Sequence, residues 1–431
     1  MSITIRAVGQ ASKRGKIPRL PSGEKLLAEV DEWIASAPDE TLRGRRADGL
    51  PEGATTGDYQ FHPAARNVQL EAVDGGRLTV TAETSPVGPG YHTYVRGLLH
   101  RMGDELSIEW APSGAPDDPA ASFDPTGFLD SGNRADAERG HLAWLHRALL
   151  EARDARERGI TGIHLETPPG ALFTSSGVLA TVLGPRSEEW LDRAIADPRV
   201  AVDVWPWVAD AMDARYLLGR ALSLLWLEVR WRPPTTEEEA LLDEVLSLLR
   251  RAYPLEPSLP YPWVAWGELL ALRDHVDPAT QQLVERMIPK VADAPPVGYR
   301  RAPVTIIHHG WALDVPGTFD EHRSDEEWSG SEPRRSVTIA ATETGHDGQP
   351  MTADTFLKQV AGHLGRDALE HEDGPVRGRA RLSTDISSGI EVATVEGYSA
   401  IRGRGAAIRI VIEDPQDWKW ALDTWRDLRP V

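Results

Sequence analysis

Apolar positions recur along this chain at two spacings, and the places where the spacing changes mark its organisation. Behind Ser22, whose hydroxyl suits the free amides of a first turn, Leu26, Leu27, Val30, Trp33 and Ile34 return at helical intervals. The period then drops to two. Asn67 to Val73 and Arg77 to Glu83 alternate, and Asp74-Gly75-Gly76 between them predicts a β-hairpin. Pro89 and Gly90 open a second helix with Tyr91, Tyr94, Val95, Leu98, Leu99 and Met102 on its apolar face. The first residues, MSITIRAVGQASKRGKIPRL, are basic and contain glycine, and read as an arm. Residues 112 to 133, rich in Pro, Asp, Ser and Gly, read as a boundary or a long surface loop.

From Arg134 to Arg158 a charged helix carries Leu142, Leu145, Leu149 and Leu150, and short strand-like runs follow from Ile160 to Leu183. The middle of the chain then turns helical. Ala209 to Trp231 predicts a long apolar helix stopped at Pro233-Pro234, where an amide is missing and the preceding residue is restricted. Thr236 and its glutamates start the next, striped by Leu241, Leu242, Val245, Leu246 and Leu249. After Ala294 strand patterns return at Val297 to Arg301, Val304 to Val315, Ser336 to Thr342, Val376 to Leu382, Gly389 to Glu396 and Ala406 to Glu413, interrupted by a helix at Thr352 to Leu364. A last helix begins with Asp414 as cap and Pro415 in the first turn, and sets Trp418, Ala421, Leu422, Trp425 and Leu428 on one side. The expectation is an α+β, multidomain chain. It has an N-terminal α/β region with a basic arm (1–132), a mainly helical domain (133–296) and a C-terminal antiparallel sheet with flanking helices (297–431).

The order of elements in that C-terminal part resembles the PsbP-like α+β domain. The residues that carry the resemblance are "HHGWALDVPGTFDEH", "WSGSEPRRSVTIA" and "AIRIVIEDPQDWKWALDTWRDL" with its tryptophan-bearing closing helix. It implies an antiparallel sheet with helices on its faces, and a binding or assembly module, since such domains share no common catalytic apparatus.

Composition narrows the function classes. A 431-residue chain with 41% apolar residues and 15 tryptophans has material for more than one core. The formal charge of −19 argues against nucleic-acid and anionic-membrane partners, which are bound by neutralising phosphates. With no cysteine there is no disulfide, thiolate nucleophile or cysteine metal site. No apolar run of signal-peptide length follows the basic N-terminal residues, and the stretch from Tyr216 to Val229, broken by Arg220 and Glu228, is shorter than the ~20 residues of a membrane span. A cytoplasmic protein is expected.

Candidate chemistry is scattered. If Val304 to Val315 is one strand, His308 and His309 point to opposite faces and cannot share a metal ion, with His309 on the apolar face; a turn at His309-Gly310 would reopen the question. His164 and Glu166 fall on one face of a short strand, an arrangement that suits a general base. Glu138 and His141 form a single E-x-x-H without the second copy that a carboxylate-bridged metal pair needs. His92 sits at a helix start, where free amides can hold an anion or tune an imidazole. "FTSSGV", residues 173 to 178, is not a nucleophile elbow, and the phosphate-loop, HExxH and EF-hand patterns are absent. "YPLEPSLPYPWVAWGEL", residues 253 to 269, reads either as a stacking groove or as a loop pinned to helices by its rings.

The arginines form the most ordered pattern. Arg377, Arg379 and Arg381 alternate along one strand face, with Val376, Ala380 and Leu382 on the other, and Arg402 and Arg404 approach the next strand. Guanidinium groups so placed suit an acidic partner surface, unless local acids such as Glu391 pair with them. The sequence therefore predicts a non-enzymatic protein-interaction or assembly component binding through these arginines, with no cofactor, metal, nucleic acid or membrane. The alternative is a hydrolase using His92 or the His164/Glu166 pair, with or without a divalent metal.

Overall fold

The computed structural model describes residues 2–13, 20–36, 45–46, 53–168, 170–173, 177–273, 277–291, 295–346, 349–387 and 390–431. The architecture is mixed α+β and multidomain: a β-rich N-terminal region, a helical middle stretch and C-terminal antiparallel sheets flanked by helices. Two compact units divide the chain. The first comprises residues 1–169, 175–229 and 233–298, and the second residues 170–174, 230–232 and 299–431. Among the described residues no helix is long and apolar enough to cross a membrane.

In the first unit a six-stranded sheet contains β1 (Thr4–Ala11), β2 (Arg45–Arg46), β3 (Thr56–Gln60), β4 (Val68–Val73), β5 (Arg77–Glu83) and β6 (Ile108–Trp110), in the order β2-β3-β4-β5-β1-β6. The expected arm is therefore corrected. Thr4–Ala11 pairs antiparallel with β5 on one side and β6 on the other, and its alternation buries Ile5 and Ala7. The β4–β5 hairpin forms where the pattern placed it, with Gly75 and Gly76 at φ 92° and 78°. α1 (Gly23–Ala35) begins where Ser22 accepts from the Lys25 amide and buries Leu26, Leu27, Val30 and Ile34. α2 (Pro89–Leu106) follows β5 through a fully buried turn.

The helical stretch of this unit contains α3 (Phe128–Ser131), α4 (Arg134–Glu157), α5 (Glu188–Ala196), α6 (Ala214–Leu227), α7 (Thr236–Leu255), α8 (Trp263–Leu272) and α9 (Pro278–Met287). α6 starts later than the apolar run suggests, because Asp213 caps the amides of Arg215 and Tyr216. It buries nearly every side chain. At the head of α7, Glu238 reaches back to the Thr235 amide at 2.9 Å, one arm of a capping box. The rings of residues 253 to 269 pin that segment inward: Trp263 stacks on Trp266 at 5.3 Å, and Tyr261, Trp263 and Trp266 are buried. Of the short strands β7 (Ile163–His164), β8 (Ala171–Phe173), β9 (Leu179–Thr181) and β10 (Gly184–Arg186), β8 belongs to the second unit and the others form a small sheet. Residues 174 to 176 of the "FTSSGV" run lie outside the described residues.

The second unit holds β11 (Val304–His308), β12 (Trp311–Val315), β13 (Asp320–Arg323), β14 (Glu327–Glu332), β15 (Arg335–Glu343), β16 (Gly345–His346), β17 (Gln349–Pro350), α10 (Ala353–Val360), β18 (Leu369–Asp373), β19 (Val376–Ser387), β20 (Ile390–Ile401), β21 (Arg404–Ile412), α11 (Trp418–Arg426) and β22 (Arg429–Pro430). Seven strands form one antiparallel sheet in the order β13-β14-β15-β21-β20-β19-β18, and β22-β12-β11-β8 form another. The core joins Trp311, Phe319, Trp328, Val337, Ile339, Val395, Ile408 and Ile410 to Ala421, Leu422, Trp425 and Leu428. α11 presents that stripe as its spacing predicts, except that Trp418 is exposed. A 3-10 turn, Pro415–Asp417, precedes α11, and the Asp414 carboxylate accepts from the Gln416 amide inside that turn. The expected strand at Val297 to Arg301 is instead a single 3-10 turn, Tyr299–Arg301.

Candidate functional site

In the first unit, residues 83 to 92 pass from β5 into α2 with every residue buried. His92 is the centre of a polar network there. Its Nδ1 lies 2.8 Å from Thr84 Oγ1, and its Nε2 lies 3.2 Å from both Asp124 Oδ2 and Thr126 Oγ1. Burial pushes the Asp124 carboxyl up, but the bond and charge of His92 and the amides of Thr126 and Leu129 outweigh it and hold the group at about 2. His141 meets the His92 ring edge-on at 5.2 Å, and burial above all drives its own pKa down to about 3. A hydroxyl, an imidazole and a carboxylate in line match the order of a nucleophilic relay. Yet Thr84 and His92 are fully buried, so the network ties β5, α2 and the 112–133 segment together rather than facing a substrate. His141 and Glu138 do not converge: His141 donates to the Ala137 carbonyl, while Glu138 pairs with Arg134.

The expected His164/Glu166 pair does not form. β7 ends at His164, whose Nδ1 meets Thr167 Oγ1 at 3.1 Å, and Glu166 takes φ 50°, a left-handed conformation uncommon outside glycine. Its carboxyl turns instead to Glu83, itself 3.1 Å from Arg66. Burial first, and then the Glu83 carboxyl beside it, push Glu166 up to about 8, so Glu166 keeps its proton at neutral pH. Neither Glu83 nor Asp124 was legible as a partner, since both are joined to their sites only by long-range packing.

The histidine pair stands at a hairpin tip. His309 and Gly310, at φ 44° and 77°, make a two-residue turn between β11 and β12 in place of the single strand expected. The expected faces are reversed. His308 is buried and His309 exposed, with His309 Nε2 donating to the Asp325 carbonyl at 2.7 Å. Their rings meet edge-on at 4.4 Å, and burial holds His308 below its ordinary value. Among the described residues no group of three or more histidines and acids is placed to hold a metal ion.

The arginines of β19 alternate on one face, as their spacing requires. Arg377 pairs with Glu372 at 2.7 Å and Arg379 with Glu370 at 3.8 Å, so the acids opposite them come from β18. Arg381 lies opposite Glu396 on β20. Arg402 is exposed in the β20–β21 turn, and Arg404 donates to the Gly310 carbonyl at 3.1 Å and so serves the histidine hairpin. A cleft of about 500 Å³ opens between α10 and β18–β19, walled by Asp354, Lys358, Glu370, Glu372, Arg377 and Arg379.

No family model matches the chain, and no curated protein matches it. Among solved structures, a crystal structure from Bacteroides thetaiotaomicron VPI-5482 at 1.50 Å resolution has 10% sequence identity and a TM-score of 0.25 over 28% of this chain. The match spans 45% of that chain, and a likeness of this size carries no argument about fold or function.

Proposed function

We propose that the protein is a non-enzymatic, cytosolic interaction component that takes an acidic segment of another protein into the arginine-walled cleft of its C-terminal unit. One observation carries the reading. The Arg377 and Arg379 side chains are 35% and 27% exposed, whereas their partners Glu372 and Glu370 are 69% and 79% exposed. The cations lie partly covered against the sheet, and the anions are exposed surface groups whose pairing is worth under ~1 kcal/mol. An incoming carboxylate displaces them at little cost and meets oriented guanidinium forks. The PsbP-like resemblance belongs to the same proposal, supported by the antiparallel sheet with α10 and α11 packed on it.

The test is titration of a short peptide rich in aspartate and glutamate, followed by calorimetry. Arg377→Glu with Arg379→Glu is expected to weaken binding at least ~10-fold, and Glu370→Gln with Glu372→Gln to tighten it, with both effects shrinking as salt is raised. Equal affinities across the three proteins would overturn the proposal.

A second reading is favoured by the Glu83–Glu166 pair, which keeps a protonated carboxyl at neutral pH as a general acid requires. In that reading the protein is a hydrolase acting through Glu166. Hydrolysis of nitrophenyl esters or glycosides that disappears in Glu166→Gln supports it. Turnover that survives the substitution removes it.

A further inference from the structure

One of the two longest strands of the C-terminal sheet is only partly covered. β19 has 12 residues, and β18 pairs with Val376 to Ala380 alone. Beyond that point, on the side away from β20, the run Arg381–Ser387 has no neighbouring strand among the described residues. Sheets ordinarily blunt such an edge with brevity, charge or proline. The two outermost strands of this sheet do so: β13 reads DEHR and β18 reads LEHED. The open run reads RLSTDIS, seven residues without proline and with only two charges, Arg381 and Asp385, of opposite sign.

Its side chains sort by face. Leu382, Thr384 and Ile386 continue the row begun by Val376 and Ala380, which are buried in the core. The row outlasts its cover, leaving Leu382 36% and Ile386 74% exposed. Leu382 and Ile386 are mirror positions about Thr384 on this face, and Arg381 and Asp385 carry opposite charges on the other.

The geometry points to a second copy of this chain as the occupant, added antiparallel along Arg381–Ser387 with Thr384 opposite Thr384 on a two-fold axis. In that register Leu382 faces Ile386 of the second copy twice, and the row that leaves the core on each subunit is covered by the other. Arg381 lies diagonal to Asp385 of the second copy, within reach of a long side chain. Drawing the Asp385 carboxylate to it releases the Ile386 amide, which that carboxylate holds at 2.7 Å in the single chain, for the Leu382 carbonyl of the second copy. The free edge is also used to its end, because residue 387 of one copy falls opposite Arg381 of the other, beside the place where β18 takes over. No other register about a two-fold axis pairs both exposed apolar residues with each other. This self-association is independent of the acidic-segment cleft.

The cysteine-free sequence makes the test clean. The full chain is expected to sediment as a dimer at tens of micromolar, and Ile386→Asp to weaken that dimer at least ~10-fold while leaving the circular dichroism spectrum unchanged. Thr384→Cys is expected to form an interchain disulfide under mild oxidation, whereas a control cysteine at exposed Ser331 does not. Three results would overturn the inference. They are a wild-type chain that stays monomeric, a dimer indifferent to Ile386→Asp, and cross-linking at Ser331 as fast as at Thr384.

Discussion

Two glycines decide whether α11 can close the C-terminal core. A Cβ on Gly397 would come within 2.6 Å of the Trp425 ring, and one on Gly378 within 3.0 Å, so the indole lies flat on β19 and β20 only because those positions are bare. Trp425 is fully buried and cannot retreat. Gly397→Ala is therefore expected to destabilise the unit by ~1–3 kcal/mol through overpacking, although alanine suits a strand no worse than glycine. Trp425→Ala should cost ~3–5 kcal/mol through the cavity it leaves. Urea denaturation of the two variants and of the double mutant checks both, and the double mutant should cost less than the sum because the clash disappears with the ring. At this scale the sequence was legible where a residue acts on its immediate neighbours. Ser22 and the glycines of the β4–β5 turn do what their chemistry dictates, whereas the Asp213 cap was passed over for the apolar run around it. It was opaque where a residue acts across the fold: nothing local to Gly397 announces Trp425, and nothing local to Glu83 announces Glu166.

Elements were read correctly when an amphipathic period ran long enough to be unambiguous, as in α1, α2, α4 and α7. Three errors have physical causes. Thr4–Ala11 was masked by the basic residues that follow it, although its alternation already had the period of a strand. The His309-Gly310 turn was passed over for a single strand because apolar residues run on both sides of it, although His-Gly is a pair that tolerates left-handed turn positions. The Glu166 region looked like strand until its own backbone turned left-handed. The first error yields a direct check. Because β1 separates β5 from β6, Ile5→Asp buries an unpaired charge between sheet and helices and is expected to unfold the first unit. Were this segment a solvated arm, the substitution would leave the thermal midpoint within a degree or so. A fall of more than about 10 °C is expected instead.

On the scale of the whole molecule, stability should depend on pH through groups that lie in the first unit, and their signs can be worked out. His141 is buried neutral at about 3 against an ordinary 6.5, so the unfolded chain takes up the proton first, and stability falls as pH drops from 6.5 toward 3. His62, lowered mainly by burial and then by the charge of Arg220, acts in the same direction. Asp124, held at about 2, adds a loss that begins below 3.8. Glu166 works the other way. Raised to about 8 from 4.5, it contributes fully below 4.5, and its contribution is lost as pH rises toward 8. The thermal midpoint should therefore be highest where these two windows overlap, between 4.5 and 6.5, and decline on both sides. Glu166→Gln keeps the hydrogen bond to Glu83 without a titrating proton, so it should flatten the alkaline limb and leave the acid limb in place. Calorimetric scans of both proteins from pH 4 to pH 9 decide this. An alkaline limb unchanged by the substitution would mean that Glu166 does not keep its proton at neutral pH, and the hydrolase reading would lose its support along with the stability argument.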